Sequence, residues 1–438
     1  MLPMYVDSTK ETSPNEAPPQ ANTHQIPVLY PTGRKIQKVP ALLRQEDRNH
    51  DAYDPKVVSF GPYHHGKPEL KTCEEVKQFT LQMFVEGGNQ PSQFYFTKIL
   101  ELISYVRNCY VEGSTGQYSD EQLAEMMLLD SCFLIHYIGI DQQNPLRFFI
   151  YNHLGSLVLL LVNRDIYLME NQIPFQILML LINLRYNNGE DSVSKFLHQS
   201  IWGEYKHEQI QDIKEQQRQS QPLHLFDAFR RVLVWDFTPQ SQVPTDEIEI
   251  DLKKWHKTFR SAKDLKAKGI HFKPSCNKSL KAINFYSFTF YGQLQLPTWF
   301  VSHLSKVFFP NMIAYELCPN NLVDTTVISY VNFMKSLIDG PADVKELREK
   351  RILLTSLGSD EDVVKLYKGL DTHGMANMYS FMEVKQRIQD HYDSKGKTWM
   401  AQLFYTYFSS PWSVIAWIAA VFVIVLTAVQ AYYAVNPR

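Results

Sequence analysis

Several things are scarce in this chain, and each scarcity removes a class of function. Cysteine is sparse: Cys73, Cys109, Cys132, Cys276 and Cys318 are the only five in 438 residues. Their number is odd and their spacing wide, so neither a zinc knuckle nor a redox pair is present, and the usage fits a reducing compartment. Residues 1–30 are rich in Pro, Asn, Gln, Glu and Thr and lack the apolar run of a secretory signal, so they are expected to be disordered and not to direct export. Net charge is nearly absent, at -2, so no global field points to nucleic acid. Mean hydropathy of -0.27 excludes a multi-span membrane protein. No Gly-x-Ser-x-Gly elbow, zinc-protease motif or internal repeat occurs.

Charge is also missing from one continuous stretch. Between Lys397 and Arg438 there is no ionisable acid or base, and Trp412 to Tyr433 within it is dominated by Ala, Val, Ile, Leu and aromatic residues. As a helix rising about 1.5 Å per residue this run reaches roughly 33 Å, enough for a hydrocarbon core of about 30 Å. Ser409 or Ser410 suits the cap and Pro411 the first turn. Trp412 and Trp417 near one end and Tyr432 with Tyr433 at the other are placed as interfacial anchors. Lys385, Arg387, Lys395 and Lys397 precede the run and only Arg438 follows, so the body is expected on the cytoplasmic side. The expected organisation is a disordered 1–30, a globular region 36–397, an interfacial aromatic segment 398–411, a transmembrane helix 412–433 and a tail 434–438.

The body reads as mainly α with a small β element. Helical spacing covers Glu74 to Val85, Phe94 to Val111, Glu121 to Ile138, Phe175 to Leu184 and Leu223 to Trp235, then Lys306 to Leu317, Thr325 to Ile338, Pro341 to Lys350, Asp360 to Gly369 and Asn377 to Tyr392. Glu121 to Ile138 is apolar nearly all round, which predicts a central helix. Leu154 to Val162 is too short to span a membrane and reads as core. Glu204 to Gln221 and Thr245 to Asp251 read as exposed. Lys253 to Lys281 holds ten Lys or Arg against one acid, Asp264, and Trp255, Phe259, Ala262 and Leu265 give it the pattern of a basic amphipathic helix. Tyr286, Phe288, Phe290, Leu294 and Leu296 alternate with polar residues as a strand does.

Candidate chemistry is thin. Gly61-Pro62-Tyr63-His64-His65-Gly66-Lys67 has P-loop spacing, but Pro68 stands where Ser or Thr must hold magnesium, and Pro62 lacks an N–H for phosphate. His64 and His65 are adjacent, a poor geometry for a shared metal ion. Asp130, Asp165 and Glu170 lie in apolar sequence, where a carboxylate is either a tuned acid or a cap with a basic partner. Lys253, Lys254, Lys257 and Arg260 form a possible basic surface for lipid headgroups or RNA, with a solvated face as the plainer account.

Taken together, the motifs resemble a plant family, the domain of unknown function 247. Lys38-Val39-Pro40, Ala52-Tyr53-Asp54-Pro55 and Val58 through Gly66 resemble its opening. Met126 to Leu134, Asp165, then Glu170-Asn171-Gln172-Ile173-Pro174-Phe175, His224 to Asp227, Ser261 to Leu265 and Asn311 to Glu316 follow in order. Ser131 replaces a usual Gly, and Phe60 a usual Ile. The resemblance implies one globular unit with a C-terminal membrane span and no established activity. Some grass members are associated with self-incompatibility recognition. The function expected is therefore a membrane-tethered, non-catalytic interaction, recognition or signalling protein, with the bilayer and an unidentified protein as partners, no nucleic acid and no cofactor. The alternatives are a hydrolase or transferase using the buried carboxylates, and a lipid or RNA binder working through the basic helix 253–281.

Overall fold

The computed structural model describes residues 33–44, 51–139, 145–186, 189–203, 221–235, 260–319, 324–375, 381–394 and 411–435. The expectations for 1–30, 204–220, 245–251, Lys253, Lys254, Lys257, Ser409, Ser410 and the interfacial residues 398–410 lie outside that set.

Helices dominate, as the spacing predicts. In chain order they are α1 (Ala41–Arg44), α2 (Lys71–Glu86), α3 (Ser92–Leu100), α4 (Ile103–Cys109), α5 (Asp120–Ile138), α6 (Pro145–His153), α7 (Ser156–Asp165), α8 (Phe175–Arg185), α9 (Gly189–Trp202), α10 (Leu225–Val234) and α11 (Ala262–Ala267). Four strands follow: β1 (Ile270–Pro274), β2 (Asn284–Ser287), β3 (Gly292–Leu296) and β4 (Trp299–Val301). Then come α12 (Ser305–Leu317), α13 (Thr326–Leu337), α14 (Pro341–Glu349), β5 (Leu353–Thr355), α15 (Asp360–Gly369), α16 (Met382–Asp393) and α17 (Pro411–Val435).

The centre is α5. Ser119 accepts from the Gln122 N–H while the Gln122 side chain accepts from the Ser119 N–H, so both ends of a capping box are closed. Gly139, at φ +77°, ends the helix in the left-handed region that a side chain disfavours. Between these caps Leu123 through Ile138 is buried apart from Glu125, and α2, α3, α4, α6, α8 and α9 all pack on it. One continuous hydrophobic cluster extends from Ile36 to Ile388.

The β part is small. β3 pairs in parallel with β1 and antiparallel with β2, and β4 pairs in parallel with β5. Phe272, Phe285 and Leu294 point into the core from three neighbouring strands.

Four local expectations change. The run from Phe94 breaks into α3 and α4. The run from Leu154 forms α7, which is core on one face only: Val162 is buried and Leu154, Val158 and Leu159 pack against the core, while Leu157 and Leu160 are 67% and 66% exposed. The alternation from Tyr286 to Leu296 is a hairpin, not one strand, and it leaves Tyr286, Phe288 and Phe290 exposed. The basic helix ends at Ala267, because Gly269 takes φ +77° and the chain enters β1. Lys273, Lys278 and Lys281 therefore lie beyond it.

The last helix matches its expectation closely. Ile415–Tyr432 is long and apolar enough to cross a membrane, and it is not buried against the protein. Trp417 and Tyr432 are exposed on it.

Candidate functional site

The residues singled out by sequence converge on one feature, an N-terminal strap laid over the helical body. From Lys56 to Gly61 the strap belongs to no helix or sheet, so its backbone N–H groups need partners elsewhere. Buried side chains supply them. Asp165, at the end of α7, accepts from the N–H groups of Lys56, Val57 and Val58 at 2.9, 2.8 and 3.1 Å. Asn171 accepts from the Phe60 N–H at 2.7 Å and donates to the Val58 carbonyl at 3.0 Å, as a neighbouring strand would. Asp130, halfway along α5, accepts from the Gly61 N–H at 2.7 Å. Gln172 holds the supporting turn by donating to the carbonyls of Ile166 and Leu168 and accepting from the Phe226 N–H. Pro174 starts α8 and forms a bridge with His224.

Gly61 shows how closely the strap is seated. It takes φ +74°, and a Cβ there would sit 2.4 Å from the Gln172 carbonyl oxygen and 2.8 Å from the Tyr110 hydroxyl. Pro62, Tyr63, His64, His65 and Gly66 continue as a turn, with Gly66 at φ +82°. Tyr63 donates to the Ile36 carbonyl. The turn does not form a phosphate cradle, since the Gly61 N–H already faces a carboxylate.

Two cations balance the clamp: Arg164 lies 2.7 Å from Asp165, and Lys77 serves Asp130. Lys77 is fully buried and donates to the Ser59 carbonyl at 2.7 Å; its ammonium also lies 2.7 Å from Asp130 and 2.6 Å from Glu74. Burial alone would lower its pKa, but the two carboxylates outweigh burial and raise it, so Lys77 stays charged. Lys77 was missed by sequence reasoning, although Cys73, Val76, Lys77, Thr80 and Phe84 mark one buried stripe of α2. Asn311, named in the motif order without a role, accepts from the Met169 N–H and donates to the Ala52 carbonyl.

Glu170 organises the neighbouring turn. It accepts from the Val39 N–H, pairs with Arg44 at 2.8 Å and meets His64 Nε2 at 3.3 Å. Burial would raise its pKa, but the His64 hydrogen bond and the Arg44 charge hold it below the ordinary glutamate value. His65 faces elsewhere, 4.0 Å from Glu74 and edge-on to Tyr118. The two imidazoles do not share a ligand position. Among the described residues no group of three His, Cys, Asp or Glu is arranged for a metal ion.

Similar clamps recur away from the strap. Asp227 accepts from the Leu223 N–H and pairs with Arg34 at 2.8 Å. Burial would raise the Asp227 pKa, but Arg231 and Arg34 outweigh it and depress it strongly. Glu316 accepts from the N–H groups of Val327 and Ile328 and pairs with Arg230. Among the described residues, grooves of about 550 and 480 Å³ meet at Arg164 and His303. Asp130, Asp165, Glu170, His64 and His65 line neither of them.

The expected basic surface is only partly within view. Arg260 precedes α11, with its guanidinium 5.2 Å from the Tyr392 ring centre.

Comparison with known proteins agrees with the motif order. Two Arabidopsis thaliana proteins of the UPF0481 group are similar over most of their length. The UPF0481 protein At3g47200 is 26% identical across 88% of this chain and 83% of its own. The protein At3g02645 is 24% identical across 87% of each. No solved structure matches. The family model described as a plant protein of unknown function matches residues 36–426, a range that takes in the strap, Lys77, Asp130, Asp165, Glu170 and Asn171 and reaches into α17, and the chain belongs to that family, the domain of unknown function 247.

Proposed function

We propose that the protein is a membrane-tethered interaction module that acts by binding another protein and not by catalysis. The observation that carries this is the use made of its buried carboxylates. Asp130, Asp165 and Glu170 each satisfy backbone N–H groups of the N-terminal strap or the turn before it. A general acid or base must reach a substrate proton, and these groups face their own backbone. A hydrolase or transferase would need them together in a concave pocket, and neither groove includes them.

The tether is α17. An apolar helix of this length, exposed along its sides, is stable in hydrocarbon and costly in water. The Lys and Arg residues before it favour a cytosolic body, so that the strap and clamp build a rigid platform at a membrane surface.

Proximity labelling from the full chain in its membrane tests this, with the isolated 411–438 segment carrying the same tag as background. A reproducible set of proteins enriched by the body over the span alone is expected. Identical sets from both would overturn the proposal. So would turnover of a metabolite by the purified full chain that is lost in a folded Asp165→Asn variant.

A further inference from the structure

We propose that the β2–β3 hairpin is a second membrane contact, which docks the body on an anionic bilayer surface. The inference rests on the reading of α17 as a span with a cytosolic body.

The hairpin tip is unusual for a soluble surface. Tyr286, Phe288, Phe290 and Tyr291 are 43%, 43%, 51% and 40% exposed, within six residues of each other. Phe288 and Tyr291 stack at 4.7 Å between ring centres, and the Phe288 N–H donates to the Tyr291 carbonyl, so the tip is a fixed structure. Isolated exposed aromatics need no explanation, but a rigid cluster of four does. Aromatic rings of this kind favour the headgroup boundary of a bilayer.

Cations gather at the same end of the sheet. Ile270 pairs with Gly292, and the Gly292 N–H donates to the Gly269 carbonyl, which places Lys268 beside the turn. His271 lies 5.7 Å from Tyr291 by ring centres. Lys268 and Arg260 both lie over the Tyr392 ring, at 5.3 and 5.2 Å. Lys266 and Lys281 in the same stretch are paired with Glu346 and Asp324, so Lys268 and Arg260 are the cations placed near the tip. An apolar tip flanked by Lys268 and Arg260 is complementary to anionic lipid, because the rings enter the interface while the two cations meet phosphate and carboxylate headgroups.

Chain connectivity makes the bilayer the nearest candidate surface. The hairpin is fastened to α16: Ser287 Oγ and His391 Nδ1 are 2.8 Å apart, and the Phe285 and His391 rings meet at 5.7 Å. Only 17 residues separate α16 from α17. A tether this short holds the hairpin within roughly 60 Å of the span even when fully extended. The bilayer is therefore present at the high effective concentration that makes a weak second contact effective.

The test uses the full chain in nanodiscs of phosphatidylcholine alone or of an equal mixture with phosphatidylserine. Cys276 is the exposed cysteine among the five, so Cys276→Ser permits a bimane label at Thr289→Cys, or at Gln93→Cys on α3 as a reference. Lipids carrying a shallow nitroxide should quench the label at position 289, not at 93, and more strongly in the anionic discs. Lys268→Gln and Arg260→Gln should each lower the docked-to-undocked ratio about fivefold. Phe288→Ser with Phe290→Ser should abolish the quenching. Incorporation into discs without quenching at 289 overturns the docking and leaves the span intact. Quenching at 289 and 93 alike, or cross-linking of two copies through position 289, also overturns it. A chain that stays out of the discs sinks the docking and the span together.

Discussion

Two long helices, α5 and α17, are apolar on nearly every side, and their sides differ in exposure. α5 is buried by six other helices; α17 has its sides exposed. The difference lies in what interrupts the apolar surface. α5 carries Asp130, Ser131 and His136 among its buried residues, and Asp130 has an assigned partner in Lys77 and an assigned task at Gly61. α17 carries no Asp, Glu, His, Lys or Arg. A soluble core helix can contain a charge because neighbouring elements answer it, whereas in hydrocarbon nothing would. Apolarity alone does not separate core from span; the presence of an answered polar group does.

The largest effect comes from breaking the answer. Lys77→Met leaves Asp130 buried without its counter-ion, and a loss of about 3–5 kcal/mol is expected, read as a fall in the chemical-denaturation midpoint of the full chain in nanodiscs. If stability is unchanged, Asp130 is not held as an ion and the contrast with α17 fails.

A smaller effect concerns acid. Burial lowers the His224 pKa from 6.5 to about 3, against the opposing pull of Asp227. The folded state then binds fewer protons than the unfolded state between these values, so stability falls as pH drops through that window. The slope expected is about 1.4 kcal/mol per pH unit. Melting temperature measured from pH 7 to pH 4 should decline, and His224→Asn, which keeps an acceptor for the Asp227 N–H, should flatten the decline. A profile equally steep in the variant would assign the acid sensitivity elsewhere.

The smallest effect sharpens the comparison from the other side. Leu157→Ser and Leu160→Ser on α7 should each change stability by less than about 0.5 kcal/mol, because these side chains are already in solvent. A multi-kilocalorie loss would return that face of α7 to the core.

These elements also show what the sequence makes legible. α5 and α17 were readable because runs of that length so rich in apolar residues admit few alternatives. The capping box of α5, Ser119 with Gln122, was not singled out, although it acts within one turn. α7 misled because its Leu and Val run has no polar residue to mark the outward face. The hairpin misled because alternation passes through its turn without a Gly until Gly292. The roles of the carboxylates were invisible for a different reason. Asp165 answers N–H groups more than 100 positions earlier, and Asp130 answers one 69 positions earlier. Local pattern shows that such an acid is in an apolar setting. Which backbone it serves depends on the tertiary fold.

The direct test of the central claim, that α17 spans a membrane with the body on its cytosolic face, is glycosylation mapping in microsomes. A short sequon-bearing tag is added after Arg438, and the native sequon at Asn277 serves as the internal comparison. A glycan on the tag and none at Asn277 is the predicted result. A glycan at Asn277, or a tag left bare in a chain that resists alkaline extraction, would contradict it.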